Sequence, residues 1–242
     1  MLRHTLVALT ALAALPAAAQ APAAAPVGPP VTPAATQPAT APAPPPKPNP
    51  KVRVETTEGA FVLELFPDRA PITVANSLRY VDRGLFVGGT CYRASKPKDY
   101  AGNDYGLVQC GLQNDPRRVR PPIAHESTLK SGLTHGKDGV ISMGRHAPGT
   151  AQADWSIMLG DMSYLDADPK NPRANPGFAA FGEVVEGLEV IRRIIVLPTD
   201  PNRGEGAMKG EMLVKPVRIV RANRIAAPPP VVPASPTAVS PP

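Results

Sequence analysis

The sequence predicts a mainly β domain: an antiparallel sheet closed into a barrel, with helices over its open ends. Many short runs read as strands, they are fairly evenly spaced, and only two stretches carry a helical stripe. Short, even strands fit a sandwich as well as a barrel. One helix early and one late fit a barrel whose two ends are covered.

The elements follow in order. In "KVRVETTEGAFVLELFP", Val52, Val54, Phe61, Leu63 and Leu65 alternate around Glu58-Gly59, a hairpin with a glycine turn. In "RAPITVANSLRYVDRGLF", Pro71 suits the first turn of a helix, Val74, Leu78 and Val81 form its stripe, and Gly84 suits its stop. "GGTCYRAS" and "GLVQCG" are two strands separated by a polar insert, Lys96 to Tyr105. "GVISM" and "WSIML" flank a stretch, "GRHAPGTAQAD", with neither helical nor strand period. "GFAAFGEVV" is a further strand, "GLEVIRRII" the second helix, and "LVKPVRIVRA" the last strand, where Pro216 suggests an edge or a bulge.

The ends differ from this middle. Arg3 and His4, an apolar run from Leu6 to Leu15, and Ala17 and Ala19 in A-x-A spacing read as a signal peptide over 1–19. The run is too short for a spanning helix, which takes about 18 residues or more, so no membrane anchor is expected. Periplasmic or secreted location follows. From Ala21 to Pro50 there are twelve prolines and no acidic residue, so 20–50 reads as a semi-extended tether. Residues 226–242, with seven prolines, repeat that composition as a tail. The folded domain is then 51–225.

That domain holds 24 basic and 20 acidic residues, a mild and unclustered net +4 with few aromatics. Nucleic-acid binding would require a basic stripe or a stacking platform. The four histidines show no ligand spacing with the cysteines, so neither a metal nor any other cofactor is expected. Export would permit a disulfide between Cys91 and Cys110. A hydrolase using His125 or His146 with Asp154 and Ser156 finds no support in the spacing.

The segments "VETTEGAFVLELFPDRAPITVANSLRYVDRGLF", "TCYRA", "LVQCG", "GVISMGRHAPGTAQADWSIML", "YLD" and "FAAFGEVVEGLEVIRRI" stand in one order. Together they resemble the cyclophilins, the barrel-type peptidyl-prolyl isomerases, and in particular their secreted bacterial members. The likeness spans about Val52 to Val220. It implies a closed eight-stranded antiparallel barrel capped by two helices, with a site on its outer face. It further implies isomerisation of proline-containing peptides or unfolded exported proteins; a monomer is expected. An alternative reading keeps the barrel as a non-catalytic peptide- or protein-binding module.

The chemistry is simple in its demands. Amide resonance sets a barrier of about 18–20 kcal/mol to rotation. A catalyst needs no nucleophile or metal, only an apolar seat for the proline ring and a donor aimed at the twisted amide. By the resemblance, Arg93 is the catalytic arginine, Gln109 binds the peptide and steadies it, and Met143 and Gly144 form the floor and edge of the groove. Leu165 belongs to the proline pocket, Arg145 stands where a backbone receives the peptide, and Phe178 stands where histidine or tyrosine is common. Ser156 replaces the phenylalanine that lines the proline pocket, and Asp154 replaces a glutamine. Gly106 is nearest to a second pocket phenylalanine. Reduced activity is expected unless Trp155, Phe178, Tyr100 or Tyr105 refills the space. Strand parity turns Trp155 away from Ser156, into the core. The same parity, with Arg93 and Gln109 both facing the groove, sends Cys91 and Cys110 to opposite faces, so a disulfide between them requires a bulge.

Overall fold

The computed structural model describes residues 48–226. The predicted leader, nearly all of the tether and nearly all of the tail lie outside the described residues. Eight strands make the barrel: β1 (Lys51–Thr56), β2 (Gly59–Leu65), β3 (Thr90–Ser95), β4 (Gly106–Gly111), β5 (Val140–Met143), β6 (Trp155–Leu159), β7 (Ala180–Glu186) and β9 (Met212–Ile225). Their spatial order is β1-β2-β7-β5-β6-β4-β3-β9, and β9 pairs back onto β1 to close the ring. A two-residue strand, β8 (Thr199–Asp200), adds to β9 outside the ring. Closure leaves the eight strands no long unpaired edge, the usual liability of an open sheet.

The alternating apolar residues point inward. Val52, Val54, Phe61, Trp155, Ile157, Phe181 and Ile219 fill the interior, each almost fully buried. Trp155 packs edge-on against Phe61 and Phe86, with ring centroids 6.3 Å apart in both pairs. It is core, as parity predicts.

Helix α1 (Pro71–Asp82) buries Val74, Leu78 and Val81 and packs on β9. Its Pro71 costs nothing, since first-turn N–H groups lack intrahelical partners anyway. The first-turn donors that follow are met by Glu126, which accepts from Ile72 N at 3.1 Å and Thr73 N at 2.8 Å. This buried carboxylate lies 54 and 53 residues from the two donors, too far for a local capping signal to reveal it. Helix α3 (Leu188–Ile194) buries Val190, Ile191 and Ile194 and packs on β2. A third helix, α2 (Thr128–Ser131), was not among the two predicted. It is a single turn, too short to show a periodic stripe, with Ser127 Oγ accepting from Leu129 N.

Pro216 sits where the β3–β9 register jumps from Cys91 opposite Val217 to Arg93 opposite Met212. Its missing N–H therefore removes no ladder bond between these strands.

The expected separation of the cysteines is corrected. Cys91 and Cys110 are joined by a disulfide inside the barrel. Along β4, Gln109 and Cys110 are adjacent, yet they oppose Arg93 and Cys91, which are two apart on β3. Tyr92 is the extra residue of a β-bulge, and it resets parity between the two pairs. Arg93 and Gln109 thus face outward while both sulfurs face inward.

A second apolar layer lies on the outer face. Leu107, Val140, Met158 and Ala180 are covered by Met162, with Leu133 and Leu165 packed beside them. This layer supports one side of the cavity described next.

Candidate active site on the outer face

A cavity of about 490 Å³ opens on the outside of β3, β4, β5 and β6. Arg93, Gln109, Met143, Gly144, Arg145, Ser156, Leu165 and Phe178 all line it, so the structure brings together the eight residues read as catalytic or peptide-binding in the sequence. Four groups stand in one row across the strands: Arg93 opposite Gln109, Gln109 opposite Ser156, and Ser156 opposite Ser142.

Arg93 is held on two sides. Its Nη1 donates to Gln109 Oε1 at 2.9 Å. Its Nε donates to Glu211 Oε2 at 2.7 Å, and Nη2 lies 2.6 Å from the same oxygen. Glu211 Oε1 in turn accepts from Ser95 Oγ at 2.7 Å. Sequence reasoning missed Glu211: it lies 118 positions from Arg93, and only the pairing of β3 with β9 brings them together.

The apolar part of the cavity has Leu107, Met143, Met158, Leu165 and Phe178. Phe178 is fixed by its backbone, whose N–H donates to Leu165 O at 2.9 Å. The Arg145 guanidinium lies over its ring, 4.5 Å from the centroid, and also donates to Gly177 O. Desolvation holds the Arg145 guanidinium below its ordinary pKa. The Arg145 side chain is thus engaged in bracing Phe178.

Ser156 is buried at the cavity surface and supplies no aromatic wall. Of the four aromatic residues expected as replacements, only Phe178 lines the cavity; Trp155, Tyr100 and Tyr105 do not. Gly106 cannot carry an aromatic either. It has φ +126°, and a Cβ there would meet Ser95 O at 2.3 Å. Gly144 is a close-approach glycine: a Cβ would lie 3.0 Å from Gln109 Nε2. The insert 96–105 contributes nothing to the lining, whereas 167–176 borders a neighbouring pocket that shares Tyr164.

Asp154 also lines the cavity but is almost fully buried. Its carboxylate accepts from Gln113 N at 2.8 Å, Asn114 N at 3.1 Å and Tyr92 Oη at 3.3 Å. Burial raises its pKa, opposed by these donors, and burial likewise pushes the Tyr92 phenol far upward. The residue ties the turn after β4 to the bulge, so its role here is architectural.

Neither His125 nor His146 hydrogen-bonds to Asp154 or Ser156, although His146 lines the same cavity. His125 Nε2 bonds Pro176 O at 2.9 Å, and His146 lies in an exposed turn. A different chain was not foreseen: Asp166 contacts His135 Nδ1 at 2.5 Å, and His135 Nε2 contacts Ser142 Oγ at 2.8 Å. The order resembles a nucleophilic triad, but Ser142 is only 2% exposed and His135 not at all. These groups satisfy one another at the base of the cavity.

The family described as "Cyclophilin type peptidyl-prolyl cis-trans isomerase/CLD" matches residues 51–224. The chain belongs to the cyclophilins. It is 31% identical over 173 residues to a peptidyl-prolyl cis-trans isomerase-like 1 from Neurospora crassa, covering 70% of this chain and 94% of that one. It is 28% identical to peptidyl-prolyl cis-trans isomerase B of Escherichia coli, covering 59% of this chain and 82% of the other. A solved cyclophilin-type isomerase from Cryptosporidium parvum superposes with TM-score 0.58 at 17% identity, over 74% of this chain and 99% of that one. This last likeness speaks to the fold: the mainly β, closed eight-stranded antiparallel barrel. As a cyclophilin, the chain is of the peptidyl-prolyl cis-trans isomerase class.

Proposed function

We propose that this cyclophilin isomerises X–Pro bonds in exported proteins, with Arg93 as its catalytic group and a proline pocket more polar than usual for the fold. The observation that carries the reading is the pairing of Arg93 with Gln109 at the rim of a cavity whose other side is Leu165 and Phe178. In this reading the proline ring sits among Met143, Leu165 and Phe178, and Gln109 holds the peptide backbone. Arg93 directs N–H donors at the amide as it twists, where resonance is lost and charge localises. An always-charged planar fork suits that task. No proton needs to move.

A solved relative crystallised in the presence of the dipeptide Ala-Pro supports proline-containing peptides as the ligand class. The leader read at 1–19 supports export, and the Pro-rich 20–50 supports a tethered domain working outside the cytoplasm. Ser156 supports a modest rather than a maximal activity.

Two measurements test this together. N-terminal sequencing of the chain recovered from the producing cell should begin at Gln20. The processed chain should accelerate the slow, proline-limited refolding phase of an exported protein. An intact leader with the chain in the cytoplasm would overturn the location, and an unchanged slow phase would overturn the activity.

A further inference from the structure

The Arg93 guanidinium has five N–H donors. Nε donates to Glu211, whose same oxygen lies 2.6 Å from Nη2 and so occupies that edge, and one Nη1 donor goes to Gln109. That leaves one donor on each terminal nitrogen for anything bound in the cavity. Which way those two point depends on how the planar group is rotated, and Gln109 alone, through one hydrogen bond, leaves that rotation free. Glu211 removes the freedom by engaging a second edge of the plane.

Glu211 is itself well anchored. Its backbone carbonyl accepts from Ala94 N at 3.0 Å, and its second carboxylate oxygen accepts from Ser95 Oγ at 2.7 Å. Both contacts come from the two residues that follow Arg93 on β3. The ion pair is shielded, with side-chain exposures of 17% for Arg93 and 24% for Glu211, so it is more than a screened surface contact. The same β8–β9 connection also lines the cavity with Ala207 and Met208. One segment thus shapes a wall and orients the arginine behind it.

We propose that Glu211 is a positioning residue for catalysis, acting only through Arg93. This rests on the reading of Arg93 as the catalytic group. A carboxylate this close also offsets the arginine's net charge, so the cavity works through two aimed donors rather than through bulk positive potential. Glu211 touches no substrate in this account.

The test is a double-mutant cycle on the full chain, using a single-proline peptide to measure kcat/KM for exchange and, separately, peptide affinity. Glu211→Ala should lower kcat/KM about tenfold or more with affinity changed less than about threefold, and Glu211→Gln should restore part of the loss. Arg93→Ala/Glu211→Ala should be no slower than Arg93→Ala alone, because the two act as a unit. Additive losses, or a Glu211→Ala protein as fast as wild type or faster, would overturn the proposal. The Arg93 Nε–H proton gives a readout independent of turnover. It should exchange slowly in the wild-type amide and guanidinium NMR spectrum and be lost in Glu211→Ala but kept in Glu211→Gln. Rapid exchange of this proton in wild type would also overturn the proposal. Wild type without turnover but with a protected Nε–H would instead refute the isomerase reading and leave the pairing standing.

Discussion

Cys91 stands directly across the β3–β4 ladder from Cys110, and the two are joined, although Arg93 and Gln109 beside them face the other side of the sheet. Tyr92 makes both possible. As the extra residue it puts the bond in the barrel interior and the functional pair outside, and its phenol donates to Asp154 on β6's leading edge.

The disulfide closes a chain segment with a sequence separation of 19. In the loop-entropy picture such a closure is worth about 3 kcal/mol. Cys91→Ala/Cys110→Ala should therefore unfold at a distinctly lower urea midpoint. Mass spectrometry of the exported chain without reductant should show two hydrogens fewer than after reduction. A variant as stable as wild type would show that the bridge contributes nothing.

Ser156 leaves open the space an aromatic ring could fill beside Leu165 and Phe178. Burying an aromatic side chain is worth about 1.5–3 kcal/mol. Ser156→Phe should tighten binding of a proline peptide about tenfold or more, read by titration calorimetry, provided the fold is retained by circular dichroism. Unchanged or weaker binding in a folded variant would place the proline ring elsewhere in the cavity.

Burial holds the His135 imidazole below its ordinary 6.5, and the contact with Asp166, which works the other way, does not overcome it. The folded protein therefore takes up this proton less readily than the unfolded chain. The contribution to stability is full above about pH 6.5 and is lost as pH falls through the folded-state pKa. Urea midpoints should decline between pH 7 and pH 5 in wild type, and less steeply in His135→Gln. Equal slopes would mean that another group carries the decline.

Much of the barrel was legible because period-two alternation fixes which residues face inward: Val52, Val54, Phe61, Trp155 and Ile157 are all core. The cavity residues were legible through the motifs that carry the family resemblance, and the sheet then sets their strands β3, β4, β6 and β5 side by side. What escaped has a common physical cause. Glu126 capping α1, Glu211 holding Arg93, and Asp166 on His135 act across 30 to more than 100 positions, and no local pattern marks a partner at that distance. The bulge at Tyr92 escaped for a different reason. One inserted residue inverts parity, and alternation cannot register it, so the cysteines were assigned to opposite faces.

The most direct test of the account is the cis–trans exchange rate of a single X–Pro bond in a short peptide, measured by NMR with the full-length chain and with Arg93→Ala. Uncatalysed exchange takes tens to hundreds of seconds. Wild type should shorten it well below that, and Arg93→Ala, still folded and still binding the peptide, should lose about a hundredfold, the usual consequence of removing a donor aimed at a transition state. Equal rates for wild type and Arg93→Ala would contradict the central claim.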